Sequence, residues 1–353
     1  MLIAEHGDHL MTHLSFVRAS GVLAVSAAIF SLAVGRGYAG DDQLRDEAKS
    51  HFGTIEAPTE DSLADADVVL GRALFWDTRI SADGKTACAT CHMPDDHAAD
   101  RRQFSPDARG KTTSRNSQTV FNATLQPALR WTGNRKSGTE QAEKSLTGSL
   151  GLASPDAAVE LLKELGYEAA FRKVFPDDTQ PVSAGNFGRA VEAYEDTLVT
   201  PAPFDKFLAG ENDALTDRQK SGLAKFIEVG CADCHSGPLL GGGSLEKFGA
   251  VKDYWTATAS EKIDLGRFDD TKNDDDKYVF RVSMLRNIAK TAPYFHDGSV
   301  AELSDAVQIM ADVQLGAKLS AADKANIVEF LQSLTGEVPP NYAPPEKSAD
   351  ETP

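Results

Sequence analysis

The chain has 353 residues, with 36 Lys plus Arg against 53 Asp plus Glu, for a formal net charge of −17. That carboxylate excess argues against nucleic acid or anionic lipid as partners. The length leaves room for two domains of ordinary size.

In chain order, the first feature is a candidate leader. Arg18 precedes an apolar, small-residue run over 21–34, and Gly37, Tyr38 and Ala39 make an acceptable cleavage site. The run is about 14 residues, short of the roughly 20 a membrane span needs. Residues 1–39 therefore read as a cleaved signal peptide, with an uncleaved anchor as the alternative. Met11 is a rival start, because Glu5 and Asp8 suit a leader poorly. The leader's charges cancel (Glu5, Asp8, Arg18, Arg36), so the mature chain keeps the full −17. No later segment is long and apolar enough to span a membrane.

Residues 61–77 place Leu63, Val69, Leu70, Leu74 and Phe75 on one apolar helical face. Cys88, Cys91 and His92 follow. Ser154 and Pro155 open a helix to about Leu165, closed by Gly166. Another helix is expected over 186–198, and Pro201 and Pro203 mark a connection between units. The second unit opens on a capping box at Thr216 and Gln219, whose helix leads to Cys231, Cys234 and His235. The glycines at 241–243 and the aspartates at 269, 270 and 274–276 read as solvated loops. Two closing helices are expected at 303–311 and 321–334, and the Pro- and charge-rich tail from Pro339 reads as disordered. The fold class is mainly α: two helical units, 40–203 and 204–338, then a tail at 339–353.

The four cysteines are spent on two Cys-x-x-Cys-His pentads, the attachment signature of c-type haem. Each thiol adds across a vinyl group, and the histidine offers its imidazole to the iron. The pairs lie too far apart for a zinc ribbon, whose knuckles are about 15–20 residues apart, and neither sits in the βαβ context of a thiol redox pair. The expected cofactors are two covalent haem c groups. Covalent haem attachment happens outside the cytoplasm, which points to the periplasm.

The face opposite each histidine decides the chemistry. Beyond the leader, the candidates are His51, His97, His296, Met93, Met284 and Met310. Met93 adjoins His92 and cannot reach round it, and His97 reads as part of a surface turn among Asp95, Asp96 and Asp100. Met284 or Met310 could close the second iron. The first has no evident second ligand, so it is expected to stay open to a small oxidant.

The chain resembles the bacterial di-haem cytochrome c peroxidases, including their MauG-like relatives, over about 70–334. The resemblance rests on Leu70 to Asp77 with Arg79, Ile80 and Ser81; on Ser114 to Ser117, Thr119 to Asn122, Trp131 and Gly133; and on Leu285, Arg286 and Asn287 with Thr291 to Gly298. It implies two cytochrome c-like domains, each wrapping one haem, with a peroxidatic first haem and an electron-transfer second haem bound by Met310. It implies Trp131 between the haems, although plain packing would also explain that residue, and Gln141 as the distal glutamine. A calcium ion would take Asn116 and the carbonyls of Thr291 and Pro293, in line with that ion's oxygen preference. Hydrogen peroxide would be the acceptor and a small periplasmic cytochrome c or copper protein the donor. Homodimers are common in the family.

Two departures stand out. Residues 98–130 hold no histidine, so the displaceable distal histidine of classical members is missing, as in MauG-like relatives. The family's acid–base glutamate falls on Gly151; Glu140 or Glu143 could replace it only with a rearranged loop. A periplasmic peroxidase is the leading expectation. A MauG-like oxidase of a protein or other substrate and a non-catalytic electron carrier are the alternatives. MauG-like enzymes replace the axial methionine with tyrosine, so Met310 favours the peroxidase.

Overall fold

The computed structural model describes residues 36–346, so the signal-peptide reading falls outside the described residues except for 36–39. Contacts group the chain into Met1–Gly40 and Asp41–Pro353, and the following concerns the second unit. The described helices are α1 (Arg36–His51), α2 (Ala66–Trp76), α3 (Gly138–Thr147), α4 (Pro155–Glu164), α5 (Glu168–Val174), α6 (Ala184–Asp196), α7 (Pro203–Ala209), α8 (Asp217–Glu228), α9 (Tyr254–Ala257), α10 (Phe268–Thr271), α11 (Leu303–Leu315) and α12 (Ala321–Gln332). Two short strands, β1 (Leu245–Lys247) and β2 (Val279–Arg281), pair antiparallel. None of the described helices is long and apolar enough to cross a membrane.

The two large apolar cores among the described residues are built on one plan. The first gathers Leu74, Phe75, Phe121, Phe187 and Tyr194 around α2, α3 and α6. The second gathers Phe204, Phe226, Phe330 and Leu334 around α7, α8 and α12. In the first, α2 crosses α6 where Gly71 faces the Ala190 carbonyl and the Tyr194 Cβ. In the second, α8 crosses α12 where Gly222 faces the Asn326 carbonyl and the Phe330 Cβ. A β-carbon at either glycine would overlap the facing carbonyl, so both crossings depend on a missing side chain.

The connecting segments repeat the plan as well. Asn122 and Asn287 both take left-handed backbone (φ 60° and 63°), each just before a short 3-10 turn. Both donate their side-chain amides to the Thr200 hydroxyl, at 2.8 and 2.9 Å. The two halves are therefore pinned through a single threonine.

Sequence reading and structure differ at the chain ends. The helix expected over 61–77 begins as a 3-10 turn at Asp61–Ala64 and becomes α2 only at Ala66. Pro203 does not mark a bare connection; it opens α7. The N-terminal segment, assigned to the first unit, inserts Ala48 and Phe52 into the second core. Residues 339–346, expected to be disordered, are ordered, and Tyr342 is 3% exposed within the first core. Residues 347–353 lie outside the described residues.

Candidate functional site

Each pentad forms one 3-10 turn, with Cys88–Thr90 in the first and Cys231–Asp233 in the second. The turn leaves each following histidine against its own core. His92 Nδ1 lies 3.1 Å from the Ala98 carbonyl, and His235 Nδ1 lies 3.2 Å from the Leu240 carbonyl. A carbonyl only accepts, so Nδ1 carries the proton in both rings and Nε2 keeps its lone pair for a metal. Burial holds both imidazoles below their usual range, while the carbonyl contacts pull the other way. Neutral imidazole is the ligating form.

The thiols point to the same chemistry. Burial pushes Cys88 up to about 12 and Cys231 up to about 11. Such thiols are protonated at neutral pH, unlike the low-pKa thiolates of redox pairs. Cys88 packs against the first core and Cys231 against the second, so the four sulfurs cannot share a zinc ion. A protonated, half-buried thiol beside an apolar wall suits thioether attachment, and the residues present fit covalent haem at both pentads.

The second site is a largely apolar cavity whose wall includes Cys231, Cys234, His235, Met284, Met310 and Trp131. Met284 is also packed with Ile55, Val199 and Leu239 in a small buried cluster. Met310 lies on α11. The glycines at 241 and 242, expected in a solvated loop, are buried. Gly241 (φ 128°) has no room for a β-carbon between the Ser283 carbonyl and the His235 ring, and Gly242 (φ 83°) abuts Gln126. This loop packs closely against the His235 ring and Gln126.

In the first unit, α3 carries Gln141. Its N-cap is Ser137, whose hydroxyl accepts the Glu140 amide at 3.1 Å, while the Glu140 carboxylate accepts the Lys136 amide at 2.8 Å. Ser137 and Glu140 have the spacing of a capping box, so this helix was readable in the sequence but not predicted. Glu140 is thereby engaged at the helix start. The Gln141 Oε1 is buried with no hydrogen-bond partner, as expected of a group that serves something other than protein. Gly151 has φ 73°, and a β-carbon there would press on Ala82, Ala108 and Arg109. Arg109 donates to the carbonyls of Gly151 and Leu152 at 3.2 and 3.0 Å. A carboxylate at this position is thus absent for a backbone reason as well.

The turn around His97 is less exposed than the sequence suggests. Asp96 and Asp100 are buried, and Asp100 accepts Arg102 and the Ser105 hydroxyl. His97 itself is half-buried at φ 48° and meets Phe121 edge-on. The aspartate loop is largely exposed, as expected of a solvated loop, with Asp270 accepting the Thr132 hydroxyl at 2.6 Å and the Asn134 amide at 2.8 Å.

Asn116, Thr291, Pro293 and Trp131 all reach the same cavity wall. Trp131 Nε1 donates to the Asn116 carbonyl at 2.8 Å, and the Asn116 amide donates to the His296 carbonyl at 2.7 Å. The Asn116 side-chain nitrogen bonds the Arg102 carbonyl at 3.0 Å. Sequence reasoning missed two residues beside these sites. Glu195, at the end of α6, is buried and pushed up to about 8, chiefly by burial. Arg281, at the end of β2, is 4% exposed.

With this geometry in view, the family described as "Di-haem cytochrome c peroxidase" matches residues 65–213. The cytochrome c551 peroxidase of Pseudomonas aeruginosa is 42% identical over 332 residues, covering 92% of this chain and 94% of its own. The methylamine utilization protein MauG of Methylophilus methylotrophus is 30% identical, covering 80% and 86%. Among solved structures, a MauG-like protein associated with microbial copper homeostasis aligns with TM-score 0.70 at 25% identity, covering 84% of this chain and 97% of that one.

Proposed function

The chain belongs to the di-haem cytochrome c peroxidase family, and we propose on that premise that it reduces hydrogen peroxide at the haem attached to Cys88 and Cys91. Electrons would be relayed through the haem attached to Cys231 and Cys234. The overall reaction takes up two electrons and two protons and yields two water molecules. Bound haem would supply an iron able to accept peroxide where the protein leaves it a free position, and able to exchange single electrons where side chains fill its positions.

The observation that carries this reading is the inequality of the two histidine surroundings. His235 shares its cavity with Met284 and Met310. Near His92 in sequence, the sole methionine is Met93, which is 37% exposed. His92 and His235 would hold the two irons, with Met310 as the second ligand of the second. Met284 is already engaged in apolar packing. Gln141 would orient peroxide through its unpartnered amide oxygen, but an amide cannot carry the proton. Trp131, hydrogen-bonded into the segment between the two sites, would fix their spacing.

The finer features follow from the same reading. Each unit wraps one haem, and attachment places the protein in the periplasm. The donor is a small cytochrome c or copper protein, for which the acidic surface favours a basic docking face. A calcium ion would bind Asn116 and the carbonyls of Thr291 and Pro293. A homodimer is the assembly expected of such relatives.

The test is steady-state oxidation of a reduced small cytochrome by peroxide. Turnover well above that of an equal concentration of free haem is expected, together with a large loss in Gln141→Ala. Turnover no faster than free haem would leave an electron carrier instead.

A further inference from the structure

Arg281 is a buried cation with no anionic partner among the described residues. Its backbone amide donates to the Trp131 carbonyl at 2.7 Å, which fixes the end of β2 against the segment between the two sites. Its guanidinium donates Nε to the Arg130 carbonyl at 2.9 Å, one terminal nitrogen to Gln118 Oε1 at 3.0 Å, and the other to Gln126 Oε1. All three acceptors are neutral. A guanidinium has five N–H groups, so these three bonds leave two hydrogens to be placed.

Two other arginines, buried Arg286 and half-buried Arg115, are treated differently. Arg286 makes a two-pronged pair with Asp205 at 2.7 and 2.8 Å, and Arg115 makes one with Asp264 at 2.7 and 2.8 Å. Among the described residues, no carboxylate forms an ion pair with Arg281, and burial pulls its guanidinium down to about 10. A buried charge left unpaired is costly, so an anion is expected there when the protein is complete.

Arg281 lies in the wall of the cavity that His235, Cys234 and Met310 also line. Haem brings its own anions: two propionate carboxylates. We propose that Arg281 binds a propionate of the second haem and, by its charge, holds that haem at high potential. Gln118 and Gln126 grip the guanidinium without neutralising it, which leaves its charge for the cofactor. Gln126 is itself locked, its amide donating to the Ala123 carbonyl at 3.2 Å, with Gly242 packed against it. Ferric haem carries one more positive charge than ferrous haem. A fixed cation nearby therefore favours the reduced form and raises the potential.

This inference rests on haem being attached at the second pentad; mass spectrometry showing a single covalent haem would refute that premise separately. Given both haems, potentiometric titration of the holoprotein with the two haems resolved tests the proposal. In Arg281→Met, the ferric-to-ferrous ratio of the second haem at a fixed poise should rise at least tenfold, about 59 mV for a one-electron couple. The propionate bending band in resonance Raman should shift as well. Arg281→Lys keeps the charge and loses the fork, so it should restore most of the potential while the band stays shifted. A potential and a band both unchanged in Arg281→Met would overturn the proposal. If that variant does not fold, an unchanged band in Arg281→Lys would do the same.

Discussion

The Tyr342 hydroxyl donates to the backbone carbonyl of His92 at 2.5 Å, tying the C-terminal segment to the proximal side of the first pentad. The ring fills a socket of aromatic side chains: Phe75, Trp76 and Phe121 meet it edge-on at 6.0, 5.3 and 4.8 Å between centroids. Chain ends therefore cross over. The N-terminal helix completes the second core, and the C-terminal segment completes the first. Neither half is finished by its own stretch of sequence.

That exchange predicts graded losses at Tyr342. Tyr342→Phe removes one hydrogen bond and should cost about 1 kcal/mol. Tyr342→Ala also empties the aromatic socket and should cost about 3–5 kcal/mol. Chemical denaturation of the holoprotein measures both. Equal stability of Tyr342→Ala and the parent would mean the segment is not docked in solution.

The Asp205–Arg286 pair predicts a different asymmetry. Asp205 accepts both guanidinium prongs and also the backbone amides of Ile55 and Ala202, at 3.0 and 2.8 Å. Arg286 has no exposed side-chain surface. Asp205→Ala strands that guanidinium and two amides, a loss of about 3–5 kcal/mol. A double variant replacing both partners with apolar residues should recover part of it, though the two amides remain unpaired. Thermal unfolding of the singles and the double reads the coupling; strict additivity would contradict it.

Gly71 and Gly222 allow a test of the duplicated plan. Gly71→Ala and Gly222→Ala each force a methyl into a facing carbonyl, so each should destabilise by about 1–3 kcal/mol or more. The damage should be local: the Soret signature of the first haem should suffer in Gly71→Ala, and that of the second in Gly222→Ala. A cost in one alone would break the structural equivalence.

Met310 and Met284 are separated by electrochemistry. Loss of a thioether ligand lowers a haem's potential. Met310→Ala should therefore drop the second haem's potential strongly, while Met284→Leu should move stability more than potential. The reverse pattern would make Met284 the ligand.

How much of this was legible follows from where each signal lives. The pentads and the periodic faces of α2, α8 and α12 are local patterns, and local patterns survive in a sequence. Ser137 and Glu140 were also local, but Gly138 and Thr139 weaken the helix signal between them. Tyr342 was not legible, because proline-rich composition speaks for disorder while the His92 carbonyl it bonds lies 250 residues away. The loop at 241 and 242 misled for a related reason: glycine marks flexibility or close approach equally well, and only the His235 ring and Gln126 decide between them. Arg281 is one arginine among many until its three neutral acceptors are seen.

Glu195 gives the pH dependence. Burial raises its carboxyl from 4.5 to about 8, with the neighbouring acids Glu192 and Asp196 adding to the effect. Below pH 4.5 the group is protonated in both folded and unfolded chains and costs nothing. As pH rises through 4.5, the unfolded chain releases the proton while the folded chain keeps it, so folding becomes progressively less favourable. The loss continues to about pH 8, where the folded carboxyl also ionises, and is level beyond. Glu195→Gln mimics the neutral acid at every pH, so it should track the parent at low pH and become more stable than it towards pH 8. Denaturation midpoints between pH 4.5 and 9 decide the matter: parallel curves would mean that Glu195 is ionised in the folded protein, with an anion accommodated beside Cys88.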